Sequence, residues 1–118
     1  MAQHNETGKI GEDLAVKYFI AKGYSIIHRN WTIGKLEIDI IASFENRLHF
    51  IEVKTRHTLM YGYPEEGVTK KKVRNLMNAA NLYLFIYPIW RQVQIDILSI
   101  LINQQNEEEY FLIEDVTL

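Results

Sequence analysis

The sequence contains no cysteine, which excludes both a disulfide framework and thiolate metal sites. No apolar run approaches the roughly 20 residues needed to span a bilayer. Residues 1–6 lack the basic and apolar regions of a signal peptide. We therefore expect a cytoplasmic protein that makes no membrane contact.

Several common catalytic and binding signatures are also missing. The sequence has no glycine-rich phosphate loop and no Ser/His/Asp order that indicates a nucleophilic triad. Its histidines show no paired metal-ligand spacing, which argues against a histidine metal centre; they are His4, His28, His49 and His57. A functional site is therefore sought among the carboxylates and the basic residues.

Length and charge narrow the class of protein further. The 118 residues, 47% hydrophobic and 12% aromatic, predict a single folded domain over residues 1–118. The net charge of −2 does not indicate bulk nucleic-acid binding. Residues 1–74 hold 12 Lys or Arg and 9 Asp or Glu, a balance of +3, whereas residues 75–118 hold 1 and 6, a balance of −5. This asymmetry points to a polyanionic partner for the first part of the chain.

Apolar periodicity and turn residues predict two helices and five strands. Helices are predicted over residues 7–22, ended by Gly23, and over residues 70–86, capped by Thr69. Strands are predicted over 24–28, in a hairpin over 36–56, over 91–102 and over 110–113, with connections over 29–35, 56–68 and 103–109. The order α-β-β-β-α-β-β predicts an α/β fold with a mixed β-sheet and flanking helices.

The predicted hairpin joins Leu36-Glu-Ile-Asp-Ile-Ile-Ala42 to Phe50-Ile-Glu-Val-Lys-Thr-Arg56. Side chains alternate along a strand, so Glu37 shares a face with Asp39, and Glu52 shares one with Lys54. If the chain turns at Glu45-Asn46, facing residues have numbers that sum to 91, and Asp39 faces Glu52 while Glu37 faces Lys54. The apolar residues that alternate with these charges are expected to face the core; they are Ile38, Ile40, Ala42, Ile51 and Val53.

A facing pair of carboxylates is the chemical feature of this hairpin. Two carboxylates that close repel each other unless a cation lies between them. Hard divalent cations prefer oxygen ligands, and Asp39, Glu52 and the carbonyl of Val53 would supply three. Lys54 beside such an ion could activate a water or stabilise charge on a phosphate, as phosphodiester hydrolysis requires. The alternative is an exposed strand face with cross-strand salt bridges.

Four cations lie at the start of the second predicted helix, in Thr69-Lys-Lys-Lys-Val-Arg74. Cations at this end oppose the helix dipole, whereas the free backbone N–H groups there attract anions. A DNA-backbone contact would explain them, and a solvated helix face is the alternative. The expected nucleic-acid contacts are Arg56, Lys70, Lys71, Lys72 and Arg74. Four aromatic residues could stack on bases or act as packing anchors; they are Tyr24, Trp31, Tyr61 and Tyr63.

These motifs resemble known nucleases. Asp39…Glu52-Val-Lys54 is similar to the metal motif of PD-(D/E)XK nucleases, and the predicted order of elements is that of their restriction-endonuclease-like core. More closely, segments between about residues 5 and 100 resemble the bacterial YraN family, regarded as endonuclease-like from its similarity to archaeal Holliday-junction resolvases. The segments are Gly8-Lys-Ile-Gly-Glu-Asp-Leu-Ala15, Gly23-Tyr24, Asn30-Trp31, Glu37-Ile-Asp-Ile-Ile-Ala42, Phe50-Ile-Glu-Val-Lys-Thr-Arg56, Gly62-Tyr-Pro64 and Ala80…Tyr83-Leu84.

The resemblance implies a role for each matching residue. Glu12 corresponds to a helix-borne acidic residue of the resolvase-like site, and Lys54 corresponds to the catalytic lysine. Asp39 and Glu52 correspond to the metal ligands. The small residues around Glu12 would let its helix approach the sheet closely enough for Glu12 to reach the site.

The sequence departs from the family at two positions. Leu36 stands where the family usually has glycine, and Gln94-Ile-Asp96 stands where the family tends to have Arg-Phe-Asp. Both positions lie beside the core motif, so they bear on local shape and phosphate contacts rather than on the metal pair.

Together these features predict a metal-dependent endonuclease that acts on branched or structured DNA and uses Mg²⁺ or Mn²⁺. Branched substrates usually call for two sites, which a homodimer would supply. The first rival is a non-catalytic nucleic-acid-binding or protein-interaction module that keeps the fold, with the charged row as an ion-pair cluster. The second is a hydrolase of small phosphorylated or nucleotide substrates, for which the sequence shows no deep-pocket motif.

Overall fold

The structure, a computed structural model, describes residues 6–57 and 69–116. It contains two helices and five strands in the order predicted from the sequence. They are α1 (Glu6–Ala21), β1 (Ser25–Ile33), β2 (Leu36–Phe44), β3 (Arg47–His57), α2 (Lys70–Ile86), β4 (Val93–Ile102) and β5 (Glu108–Ile113).

The strands form one mixed sheet in the order β1-β2-β3-β4-β5. Neighbouring strands are antiparallel except for β3 and β4, which are parallel and are joined through α2. A parallel pair needs such a crossover because a short turn cannot return the chain to the same end of the sheet. The predicted α/β fold is confirmed, and it is consistent with a nuclease-like core.

The two helices cover opposite faces of the sheet. Along β3, Ile51 packs with Ala15 and Phe19 of α1, whereas Leu48 and Phe50 pack in the cluster formed by α2. This division follows from the alternation of side chains along a strand. The buried residues of α2 are Val73, Leu76, Ala79, Ala80 and Tyr83, while Met77 and Leu84 are only partly buried.

Both predicted helix caps are confirmed. Gly23 has φ +98°, and its N–H donates to the carbonyl of Ile20 while that of Tyr24 donates to the carbonyl of Phe19. These two bonds form the Schellman arrangement, which needs a residue in the left-handed region. At α2, the side chain of Thr69 accepts a hydrogen bond from the N–H of Lys72 at 3.1 Å.

The predicted connection over residues 29–35 is confirmed only for residues 34 and 35 and is wrong for residues 29–33, because β1 continues to Ile33. Its pairing with β2 shifts between Ile26 and His28, and Asn30 has φ 53°. Each irregularity breaks the period of two on which the sequence reading of a strand depends. Two strands begin two residues away from their predicted starts: β4 begins at Val93 rather than at residue 91, and β5 begins at Glu108 rather than at residue 110.

The predicted loop over residues 56–68 lies mostly outside the described residues, with Tyr61 and Tyr63 in it. Its first two positions, Arg56 and His57, belong to β3 instead. Neither α1 nor α2, the helices in the described part of the chain, is long and apolar enough to cross a membrane.

Candidate functional site

The β2–β3 hairpin follows the predicted register only as far as its middle. Five facing pairs have numbers that sum to 91, from Phe44 opposite Arg47 to Ile40 opposite Ile51. Both turn residues, Glu45 and Asn46, have positive φ, as a two-residue hairpin turn requires. The paired ladder ends at Ile40 and Ile51, so the expected ladder pairs Asp39–Glu52 and Glu37–Lys54 are not formed.

Asp39 occupies the gap where the two strands separate. The backbone N–H of Val53 donates to Asp39 Oδ2 at 2.8 Å. A strand N–H lies in the plane of the sheet, so this bond holds the carboxylate between the strands rather than on either face. The N–H and the carbonyl of one strand residue point to the same side, and the Val53 carbonyl therefore also points towards this gap.

The side-chain alternation of β2 changes at Asp39. Ile40 and Ala42 pack against α1, as expected for core-facing residues, but Ile38 packs in the cluster of α2. The expectation that Ile38 shares a face with Ile40 is therefore wrong. Asn30, which lies opposite Asp39 on β1, has φ 53°, so the irregularity involves both strands.

Three neighbouring carboxylates act on the pKa of Asp39. Burial raises the pKa of Asp39 from 3.8 to about 7, and the carboxylate of Glu52 is the largest charge that adds to this rise. The hydrogen bond from Val53 acts in the opposite direction, and the charges of Glu12 and Glu37 raise the pKa further. We call Glu12, Glu37, Asp39 and Glu52 the acidic cluster.

Glu52 is partly balanced by a lysine from α2. Lys72 Nζ lies 3.9 Å from Glu52 Oε2, and the side chain of Glu52 is 20% exposed. Burial raises the pKa of Glu52, the positive charge of Lys72 lowers it, and the charge of Glu37 raises it. Lys72, which the sequence predicts to contact DNA, thus also lies next to Glu52, a predicted metal ligand.

Glu52 and Lys54 face α2, as their shared parity on β3 predicts. Both line a small recess with Lys72, Leu76 and Ile97. A second recess of about 170 Å³ lies beside it and brings Glu37 and Lys35 next to Glu52 and Lys72. Glu52, Lys54 and Lys72 therefore meet on the face of the sheet that α2 covers, and Glu37 and Lys35 border the adjoining recess.

Glu12 lies on the other face, where α1 approaches β3. It is only 6% exposed, although it lies near the start of a helix. The approach depends on Gly11, because a Cβ atom built there would overlap Thr55 Oγ1. Thr55 alternates with Lys54 along β3, so Glu12 reaches the acidic cluster from the face opposite to Glu52 and Lys54. Asp39, in the plane of the sheet, is the residue between them.

Within residues 6–57 and 69–116, no three Asp, Glu, His or Cys side chains are grouped closely enough to enclose a metal ion. A magnesium site does not need three such side chains, because Mg²⁺ keeps several waters and uses one or two carboxylates. The oxygen atoms that the sequence predicts as ligands are those of Asp39, Glu52 and the Val53 carbonyl. All are hard donors, which suits Mg²⁺ or Mn²⁺.

The expected DNA contacts differ in their surroundings. Lys70, Lys71 and Arg74 are exposed on the first turns of α2, whereas Arg56 is partly buried in β3. Of the expected contacts, Lys72 is the one that the described structure places next to the acidic cluster, through Glu52.

One buried ionisable pair was not predicted from the sequence. For the aromatic residues, the sequence left both base stacking and packing as alternatives. His49 Nδ1 donates to Asp96 Oδ2 at 2.6 Å, and both side chains are almost fully buried. Of the described aromatics, Tyr24 stacks on Phe44 with ring centroids 4.4 Å apart, and Trp31 packs against Tyr83 at 5.2 Å. Both are packing residues in this fold.

The chain matches one protein family and several proteins of that family. The family described as "Uncharacterised protein family UPF0102" matches residues 11–100. A UPF0102 protein of Phocaeicola vulgatus is 45% identical over 116 residues, which cover 98% of this chain and 93% of that protein. One of Flavobacterium psychrophilum is 44% identical over 85% of this chain and 84% of its own length. Another, of Flavobacterium johnsoniae, is 38% identical over 99% and 95%.

Proposed function

We propose that this chain, which belongs to the UPF0102 (YraN) family, is a metal-dependent endonuclease that hydrolyses DNA phosphodiester bonds. The proposal is based on its acidic cluster. The observation that carries the proposal is the position of Asp39. Its carboxylate is held by Val53 in a gap beside three other carboxylates, and their charges disfavour its ionisation. A divalent cation would remove this penalty by balancing the charges.

The residues present fit such an ion. Asp39 Oδ2 accepts the N–H of Val53, which leaves Oδ1 as the oxygen that we assign to the cation. Glu52 would supply a second carboxylate oxygen and Val53 its carbonyl. Bound there, Mg²⁺ or Mn²⁺ would lower the pKa of a coordinated water and polarise a phosphate oxygen.

Side chains of the protein would position the DNA and assist proton transfer from the attacking water. Lys54, which shares a recess with Glu52, would hold the attacking water or balance charge on the scissile phosphate. Glu12 would act on Asp39 from the other face and keep it oriented. Lys70, Lys71, Lys72, Arg74 and Arg56 would contact backbone phosphates, which positions DNA without reading its sequence.

Calorimetric titration with Mn²⁺ and nicking of a four-way DNA junction test the proposal together. Asp39→Asn and Glu52→Gln should each abolish Mn²⁺ binding and nicking, because each removes a charged ligand. Lys54→Met should retain Mn²⁺ binding but lose nicking at least a hundredfold, as expected for a group that assists the chemical step. Asp13→Asn, which changes an exposed acidic residue on α1, is the control and should leave both measurements unchanged.

The main rival is a non-catalytic DNA-binding module, and the Lys72–Glu52 ion pair favours it. In that case the acidic cluster is balanced by lysine alone. The wild-type protein would then bind junction DNA with no heat of Mn²⁺ binding and no nicking at any Mn²⁺ concentration. That combination would overturn the endonuclease proposal and retain the DNA-binding surface.

A further inference from the structure

Beyond its first turns, the outer face of α2 lacks the charges that a solvent-exposed helix usually carries. Between Arg74 and Arg91 the sequence has no charged residue. Asparagines 75 and 78 occupy the first part of this face, and apolar side chains follow them at helical spacing. Phe85 is 85% exposed, and Ile89, just after the helix, is 82% exposed. An exposed apolar patch of this kind marks an interaction surface.

The patch has both a protruding part and a recess. Phe85 projects from the end of α2. Beside it, a recess of about 550 Å³ is lined by Glu45, Asn46, Ile89, Trp90, Arg91 and Gln92. A cavity of roughly 150 Å³ already accommodates benzene, so this recess has room for an aromatic side chain.

We propose that this patch, formed by Leu82, Phe85, Ile86, Ile89 and the recess around Trp90, is the interface with a second copy of this chain. A protrusion and a recess that lie side by side in one patch are both satisfied by a twofold axis, because each copy inserts its protrusion into the recess of the other. The absence of charge along α2 beyond Arg74 favours an apolar partner over nucleic acid. Another copy of the same face meets this requirement, with Glu45 and Arg91 as the charged residues of the recess.

The area of the patch is compatible with a dimer. The exposed parts of its large apolar residues amount to on the order of 600 Å², and the walls of the recess add to this value. Specific interfaces bury about 800 Å² per partner. The proposal does not depend on the endonuclease activity, because the recess lies at the turn end of the β2–β3 hairpin and the acidic cluster lies at the other end.

Sedimentation velocity of the full chain over roughly 1–100 µM tests the proposal. The wild type should dimerise, and Phe85→Glu or Ile89→Glu should raise the dimer dissociation constant at least tenfold, since each would bury an unpaired charge. Ile20→Glu, at a 56% exposed position on α1 across the sheet, is the matched control and should not change it. At protein concentrations well below the wild-type dimer dissociation constant, both variants should keep the wild-type unfolding temperature, because Phe85 and Ile89 are exposed.

A wild type that stays monomeric throughout this range would overturn the proposal, and so would a Phe85→Glu variant that dimerises as well as the wild type. If the monomeric wild type bound anionic lipid vesicles and Phe85→Glu lost this binding, the patch would be assigned to a lipid surface instead. A dimer that dissociates only at high salt would also contradict an apolar interface, because salt weakens charge pairs and not apolar contacts.

Discussion

The backbone N–H of Val53 donates a hydrogen bond to Asp39 Oδ2 at 2.8 Å. This bond takes the place of a main-chain hydrogen bond between β2 and β3 at the point where the two strands separate. It fixes one carboxylate in the plane of the sheet, within the influence of Glu12 on one face and Glu52 on the other. The opening of the hairpin is therefore what allows carboxylates from both faces of the sheet to act on one residue.

The first prediction concerns Asp39 and pH. Its folded-state pKa of about 7 lies above the ordinary 3.8, so the ionised carboxylate costs stability. The cost is absent below about pH 4, grows as the pH rises, and is complete above pH 7. Asp39→Asn removes this titration and keeps an oxygen for the N–H of Val53. In metal-free buffer it should raise the free energy of unfolding at pH 8 by on the order of 2–4 kcal/mol, and by almost nothing at pH 4.

Urea unfolding at both pH values measures this difference. The control is Asp13→Asn, because the hydrogen bond from Arg29 lowers the pKa of Asp13 instead. That variant should lose stability, not gain it, at pH 8. If Asp39→Asn gave the same small change at both pH values, Asp39 would not be a strained carboxylate. Under the endonuclease proposal, saturating Mn²⁺ should reduce the advantage of Asp39→Asn, because only the wild type binds the ion.

The second prediction concerns Lys72, which lies 3.9 Å from Glu52. Its charge stabilises the ionised form of Glu52 but would repel a cation bound to the same carboxylate. Lys72→Met should therefore tighten Mn²⁺ binding by roughly three- to tenfold at pH 8 and low salt, and the gain should shrink as salt is added. Lys70→Met, at an exposed position of the same helix turn, should not change Mn²⁺ affinity. Equal affinities in Lys72→Met and the wild type would place the ion away from Glu52.

The third prediction concerns the contact between Gly11 and Thr55. A methyl group at Gly11 would overlap Thr55 Oγ1 and lie 2.9 Å from its Cβ, so α1 would have to move away from β3. Gly11→Ala should cost about 1–3 kcal/mol of stability, although alanine favours helices. It should also lower the pKa of Asp39, because Glu12 moves with the helix.

A double-mutant cycle measures this contact. Thr55→Ala removes Oγ1 but keeps Cβ, so Gly11→Ala should cost less in a Thr55→Ala background than in the wild type. Two additive costs would mean that the close approach of α1 does not limit the fold. Thermal unfolding of the four proteins supplies the values.

The sequence was sufficient to predict the hairpin because short-range rules govern it. A two-residue turn at Glu45 and Asn46 and a period of two fix which residues face each other, and all five observed pairs follow that register. The cap at Thr69 and the bounds of α2 were predicted for the same reason, since both depend on residues within one or two helical turns.

The geometry of the gap could not be predicted in this way. The change of alternation at Asp39 depends on a positive φ at Asn30 on the neighbouring strand and on a side-chain bond to Val53. Periodicity cannot reveal either feature. The Lys72–Glu52 pair likewise depends on where α2 crosses the sheet, which is a tertiary property. The residues of the acidic cluster could therefore be named from the sequence, whereas the face of the sheet on which each side chain lies could not.

The last prediction concerns Asp96, which is completely buried. It accepts hydrogen bonds from His49 Nδ1 at 2.6 Å, Gln94 Nε2 at 2.8 Å and the N–H of Asp115 at 2.9 Å. Asp96→Asn would turn an amide group towards one of these donors and leave that buried donor without an acceptor. It should lower the free energy of unfolding by about 2–4 kcal/mol in urea at pH 7.

Asp115→Asn is the matched control for this change. Asp115 contributes its backbone N–H to Asp96, its side chain is exposed, and its φ of 55° is one that asparagine tolerates. That variant should change stability by less than about 0.5 kcal/mol. Because Asp96 joins β3, β4 and the segment after β5, its loss should weaken the attachment of residues 114–116. Faster hydrogen exchange at the N–H of Val116, which bonds to the carbonyl of Ile95, would report this change. An Asp96→Asn protein as stable as the Asp115→Asn protein would show that the buried pair contributes nothing to the fold.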